Sequence, residues 1–315
     1  MSDIDESGLQ QKQGLKRLIP DTRSNMPGQK RDYRGNAKSS GAKAPLVRNG
    51  YTPMFEAFRD ELDEHHDRRE RIVKASRDIT ALSKKIIFSL QRIRRIQPEL
   101  SDQIEKDIRS RLGDISSLLA AVAPDVQGIN RYRYSRSMMC IEELIEALTF
   151  AHYLRSQRLM GFSEAVAKVA ELSDHPGDQM DVDARDPPAP AVTDSPRPAV
   201  QVTEEDYLMG IFDLSGEMMR FATTSAALTG KMAGGSATPP VDGRERTMVM
   251  DMQDLGSFFE MLPQQYNKSY QVKLSTLRSS VLKVEKLAYG LTVRGSERPG
   301  GWMPDDTEDP SQDEY

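Results

Sequence analysis

The chain has 315 residues, 37% of them hydrophobic and 6% aromatic, with a formal net charge of −5. That length holds one large domain or two ordinary ones, and the sparse aromatics predict that part of the chain stays outside any packed core. A single Cys140 excludes an internal disulfide framework and a cysteine-based zinc site, the four histidines show no ligand spacing, and no apolar run approaches the ~20 residues of a membrane span.

The opening stretch, MSDIDESGLQQKQGLKR, is too polar for a secretory signal, so a soluble protein of the cytoplasm and nucleus, without membrane association, is expected. Charge is uneven along the chain. Residues 1–50 are rich in Lys and Arg and lack apolar periodicity, which predicts a disordered basic arm. Within it, Lys16–Arg17 and Lys30–Arg31 read either as a bipartite nuclear-import signal or as a solvated tail.

Residues 51–297 are expected to form one helical domain. Thr52–Pro53 is an N-cap followed by proline at the first helical position, with Glu56 suited to the helix dipole. Ile72, Ile79, Ile86 and Ile93 then recur every seven residues, with Leu82 and Ile96 on intervening positions. This predicts a long first helix with a coiled-coil-like seam, ending at Pro98. A second helix is expected over about Glu99–Ala121, a third over Arg131–Gln157 and a short fourth over Ser163–Leu172. The proline- and charge-rich stretch at 173–202 reads as a flexible insert within the domain. A fifth helix follows over about Glu204–Leu228, then a loop at 230–245, and helices near Arg246–Met261 and Gln271–Leu291. Residues 298–315 read as an acidic disordered tail. With no run of alternating strands, the fold class is an all-α bundle of about seven long helices.

The fifth helix carries an unusual second face. Leu208, Ile211, Phe212, Ser215, Met218, Met219 and Ala222 form one core stripe, and Asp206, Gly210, Asp213, Glu217 and Thr224 line the other side. Met209, Leu214 and Phe221 flank those acids, and Gly210 costs about 1 kcal/mol relative to Ala unless its missing side chain makes room for something. The third helix repeats the arrangement, with Ile141, Leu144, Ile145, Leu148 and Ala151 in the core and Glu143 and Glu146 sharing the opposite side with Met139, Phe150 and Tyr153. Carboxylates in a partly buried groove need cationic partners or raised pKa values. By spacing alone, Glu143, Glu146, Asp213 and Glu217 are either solvated acids or a hard oxygen-ligand set suited to Mg²⁺.

At the start of the third helix, NRYRYSRS interleaves Arg131, Arg133 and Arg136 with Tyr132 and Tyr134. Arginines for phosphates and tyrosines for unpaired bases suit a single-stranded nucleic acid; packing of the tyrosines between helices and pairing of the arginines with acids is the alternative. Arg68, Arg69 and Arg71, beside His65–His66, form a second basic stretch, which reads as a solvated helix face or, alternatively, as phosphate contacts. No nucleophilic triad accompanies VRGSERPGG, and GKMAGGSATPP lacks the order of a P-loop.

EELIEALTF and DYLMGIFDLSGEMMR resemble the two acidic motifs of the translin-associated factor X branch of the translin family. KLSTLRSSVLKVEKLAYGLTVRGSE resembles that family's C-terminal helix, and RDELDEHHDRRERIVKASRDIT its long first helix. The resemblance covers roughly Thr52 to Glu297. It implies a seven-helix subunit that joins translin subunits in a hollow hetero-oligomer and cuts single-stranded RNA with Mg²⁺ or Mn²⁺. It places the catalytic and metal-binding acids on Glu143, Glu146 and Asp213, with Glu217 as the neighbouring fourth carboxylate. Single-stranded DNA is a second expected ligand. The alternative from another class is a non-catalytic scaffold or RNA-binding subunit that stabilises translin.

Overall fold

The computed structural model describes residues 49–174, 198–234, 246–263 and 265–294. The basic pairs near residues 16 and 30, most of the proline-rich insert, most of the 230–245 loop and the acidic tail lie outside the described residues. The chain divides into two units, Met1–Glu56 and Ala57–Tyr315. In the first, Asn49 Oδ1 accepts from the backbone N–H groups of Tyr51 and Thr52 at 3.0 and 3.1 Å, which makes Asn49, and not Thr52, the side chain that satisfies the opening turn.

The described residues contain eight α-helices: α1 (Thr52–Leu90), α2 (Asp102–Val122), α3 (Ile129–Arg133), α4 (Cys140–Ser156), α5 (Phe162–Asp174), α6 (Glu204–Thr229), α7 (Met248–Met261) and α8 (Lys268–Arg294). Their only β pairing is an isolated bridge between Gly234 and Thr247. The isoleucine seam of α1 is buried at Ile72, Ile79 and Ile86. The helix stops at Leu90, eight residues before Pro98, yet Ile93 and Ile96 remain buried in an irregular segment. Gln97 N–H donates to the Leu154 carbonyl at 3.0 Å, and Ser225 Oγ donates to the Arg94 carbonyl at 3.2 Å. Tertiary partners thus replace the helix's own hydrogen bonds.

The expected third helix is broken. A 3₁₀ turn at Ser135–Ser137 separates α3 from α4, which turns seven helices into eight. The break lets neighbouring residues serve different partners. Arg131, only 2% exposed, pairs with Asp206 at the start of α6 and donates through Nε to the Gln201 carbonyl at 2.8 Å. Tyr134 and Met138 turn into the core. Asp206 also closes the capping box of α6: Thr203 N–H donates to its carboxylate at 2.8 Å, while Thr203 Oγ1 accepts from Asp206 N–H at 3.2 Å.

Helix α6 packs chiefly against α4 and α8. Both of its faces are buried, including Met209, Gly210, Leu214, Glu217 and Phe221 on the side with the acids. Gly210 is the point of closest approach: a Cβ there would lie 2.7 Å from Ile145 Cγ2 and 2.8 Å from the Glu142 carbonyl oxygen. The clearance serves the backbone and Ile145 of α4, and not the acid side chains. Phe212 locks the other neighbours, with its ring centroid 4.0 Å from that of Phe259 on α7 and 5.2 Å from that of Tyr270 on α8.

Two stability measurements check this packing. Gly210→Ala is expected to lower stability in urea denaturation by about 1–3 kcal/mol, because overpacking outweighs the gain of about 1 kcal/mol in helix propensity. Arg131→Ala leaves the largely enclosed Asp206 carboxylate with only its Thr203 donors and is expected to cost about 3 kcal/mol by the same measurement; a loss under 1 kcal/mol would contradict the pairing.

Candidate active site

Four helical segments converge on a cleft of about 530 Å³. Helix α1 contributes Lys84 and Phe88, with Gln91 just past its end. Helix α4 contributes Glu143 and Glu146, α6 contributes Asp213 and Glu217, and α8 contributes Lys273. All four acids expected from the sequence therefore line one cavity, brought together by the close α4–α6 contact at Gly210.

Each acid has its own surroundings. Lys84 Nζ lies 3.2 Å from Glu143 Oε1 on the open side. Gln91 Nε2 donates to Glu217 Oε2 at 2.7 Å, and Arg220 Nε lies 3.5 Å from the other oxygen of the same carboxylate. Lys273 Nζ donates to Asp213 Oδ2 at 2.7 Å and to Glu142 Oε2 at 3.0 Å. Glu146 is 8% exposed and has no lysine or arginine within salt-bridge distance among the described residues.

The electrostatics follow from this geometry. Burial, then the negative charges of Asp213, Glu143 and Glu217, push the Glu146 carboxyl up to about 8. Burial also raises the Glu142 carboxyl, although Lys273 works against the rise. For Lys273 itself, burial opposes the charged form, but Asp213 and Glu142 prevail and raise its pKa. Five carboxylates (Glu142, Glu143, Glu146, Asp213, Glu217) face three cations, Lys84, Arg220 and Lys273. The shortfall of positive charge, centred on Glu146, makes this an all-oxygen donor set suited in chemistry to a hard divalent cation. Among the described residues no three acids, histidines or cysteines converge closely enough to enclose a metal ion.

The sequence reading missed Glu142, Lys84, Gln91 and Lys273. Glu142 carried a usable signal, since it stands four residues before Glu146 on α4. Lys273 carried none, being 131 residues from Glu142 and 60 from Asp213.

The expected nucleic-acid contacts divide. Arg131 is a correction: its guanidinium is buried against Asp206 and belongs to the fold. Tyr134 is buried, with its hydroxyl 2.8 Å from His65 Nδ1. Arg133 is exposed, with Nη1 2.7 Å from His65 Nε2, and Arg136 and Tyr132 are exposed. None of the three arginines lines the carboxylate cleft. In the second basic stretch, Arg68 and Arg71 both donate to the Asp125 carboxylate, at 3.3 and 2.9 Å, and Arg69 is exposed.

A pH dependence follows from Glu146. In the fold its carboxyl holds a proton up to about 8, whereas the unfolded chain releases it near 4.5. The folded state therefore binds more protons between these values. Stability without divalent cations is full below the lower value and falls as pH rises toward the upper one. Glu146→Gln removes that slope, so its stability relative to the parent is expected to climb from pH 5 to pH 8. Urea midpoints measured in EDTA across this range check it; a difference independent of pH would contradict the assignment.

Comparison with known proteins places these features. A family model described as the Translin family matches residues 67–295. The Translin-associated protein X of Rattus norvegicus is 30% identical over 280 residues, covering 87% of this chain and 88% of the relative. The Translin-associated protein X homolog of Schizosaccharomyces pombe is 25% identical over 250 residues, covering 78% and 89%. The crystal structure of apo-NeC3PO aligns with 80% of this chain and 100% of its own at 14% identity, with a TM-score of 0.49. With the family match spanning well over half of its length and every acid of the cleft inside that span, the chain belongs to the translin family.

Proposed function

We propose that this chain is a subunit of a translin-containing RNA-processing assembly and that its carboxylate cleft hydrolyses phosphodiester bonds of single-stranded RNA with a divalent metal ion. The observation that carries the reading is the charge imbalance of the cleft: Glu146 is buried among Asp213, Glu143 and Glu217, with no cation of its own among the described residues. Glu143, Glu146, Asp213 and Glu217 would hold Mg²⁺ or Mn²⁺, directly or through water, since Mg²⁺ keeps several waters and needs few protein ligands. When bound, such an ion lowers the pKa of a coordinated water and offsets charge on the phosphodiester.

The chain's own residues supply the rest. Gln91 fixes the Glu217 carboxylate through Oε2, which suits Glu217 to orient or accept a proton from water. Lys84 is half-exposed and bound to one carboxylate oxygen, so it can exchange Glu143 for an RNA phosphate. Phe88 is 64% exposed beside these groups, which leaves its ring face open for an unpaired base to stack on. Exposed Phe258, Met261, Tyr289 and Val293 on α7 and α8 supply apolar surface for neighbouring subunits, and the name of the relatives points to translin as the partner. Among the described residues no helix is long and apolar enough to cross a membrane.

One observation favours a second reading, a non-catalytic scaffold subunit. Asp213 and Glu143 already carry lysine counterions and Glu217 a glutamine donor, as acids in a purely structural network do. Co-expression with translin and assay of RNA cleavage with and without Mg²⁺ separates the two. Asp213→Asn is expected to leave assembly intact and to reduce Mg²⁺-dependent cleavage by about 100-fold or more. Full residual cleavage by the assembled variant, or loss of assembly, supports the scaffold reading.

A further inference from the structure

Lys273 differs in kind from the other cations of the cleft. Lys84 and Arg220 have side chains 53% and 62% exposed, and each touches one carboxylate. The Lys273 side chain is 21% exposed and donates to three acceptors: Asp213 Oδ2 at 2.7 Å, Glu142 Oε2 at 3.0 Å and the Met209 carbonyl oxygen at 3.1 Å. An ammonium has three N–H donors, so this one is fully satisfied by protein. Its acceptors lie on both α4 and α6, and it reaches them from α8. The base of the lysine is anchored as well. Tyr270, one turn earlier on α8, is buried with its ring edge-on to Phe212, the residue preceding Asp213. An aromatic lock on one turn and a three-way hydrogen-bonded ammonium on the next leave Lys273 little freedom to act as an exchangeable counterion.

We propose that Lys273 is a positioning residue of the carboxylate cleft: its ammonium fixes Asp213 through one oxygen and ties the acidic edges of α4 and α6 together, beside the acids that would hold a divalent cation. Glu142 retains the ammonium and is not itself a ligand. The inference rests on the divalent-cation reading of the cleft.

The sign of one measurement tests it. By charge alone, a lysine beside a cation site repels the cation, so its removal tightens binding. A positioning lysine gives the opposite result, because its removal frees Asp213 and lets the helices' acids repel one another. In the full chain assembled with translin, Mn²⁺ serves as the probe, with free Mn²⁺ followed by electron paramagnetic resonance. Lys273→Met is expected to weaken binding by about 10- to 100-fold, and to lower kcat for RNA cleavage while KM for RNA stays unchanged. Lys273→Gln, which keeps an amide N–H for Asp213, is expected to fall between Met and the parent. Binding that is unchanged or tighter in either folded variant overturns the proposal, as does failure of both variants to fold, which would make Lys273 part of the scaffold. If the parent complex has no Mn²⁺ site that Asp213→Asn abolishes, it is the divalent-cation reading that fails.

Discussion

The contact between α4 and α6 at Gly210 governs the arrangement of this protein. Without a side chain at that position, the α6 backbone comes against Ile145 and the Glu142 carbonyl, closer than any other residue allows. Gly210 shares its stripe of α6 with Asp213 and Glu217, and Glu142 borders the acids of α4, so the contact sets the two groups of acids side by side. Glu143 and Glu146 on one, and Asp213 and Glu217 on the other, are delivered to the same cleft. The apolar packing that stabilises the bundle thus creates an electrostatic problem at its edge.

The surrounding elements respond to that problem unequally. Lys84 from α1 and Lys273 from α8 each bring an ammonium, and Gln91 brings a neutral donor. Glu146 receives none of them and stays protonated to about pH 8. A purely structural site would be expected to pair its most buried acid first, because an unpaired buried charge is the costliest kind. Here the most buried acid is the one left over. This inversion is what the proposed cation site calls for, and it is the feature that an ordinary ion-pair network lacks. In the proposed reading, cation binding and stability are coupled, since both act on the same carboxyl.

The arginine at the head of α6 shows a different use of charge. Arg131 sits in a sequence that looks like a nucleic-acid contact, yet its guanidinium is committed to Asp206 and the Gln201 carbonyl. Asp206 also completes the capping box of α6 with Thr203, so one carboxylate joins α3 to the start of the helix that carries Asp213. The exposed arginines of that stretch are Arg133 and Arg136.

Periodicity alone determined much of this protein. The heptad isoleucines marked buried positions correctly even at Ile93 and Ile96, where the helix itself has ended, because burial follows the spacing of apolar side chains while the backbone follows its hydrogen-bond partners. The acidic pairs were legible for the same reason, as a spacing of three or four residues fixes a helix face whatever lies opposite. Tertiary structure alone decided that this face is buried, that Gly210 makes room for α4, that the third helix breaks at Ser135–Ser137 and that Arg131 turns inward. It alone brought Lys273 to Asp213 and Glu142 across 60 and 131 residues of chain. Local pattern records which side chains share an element, and it holds no information on which element will supply the opposite charge.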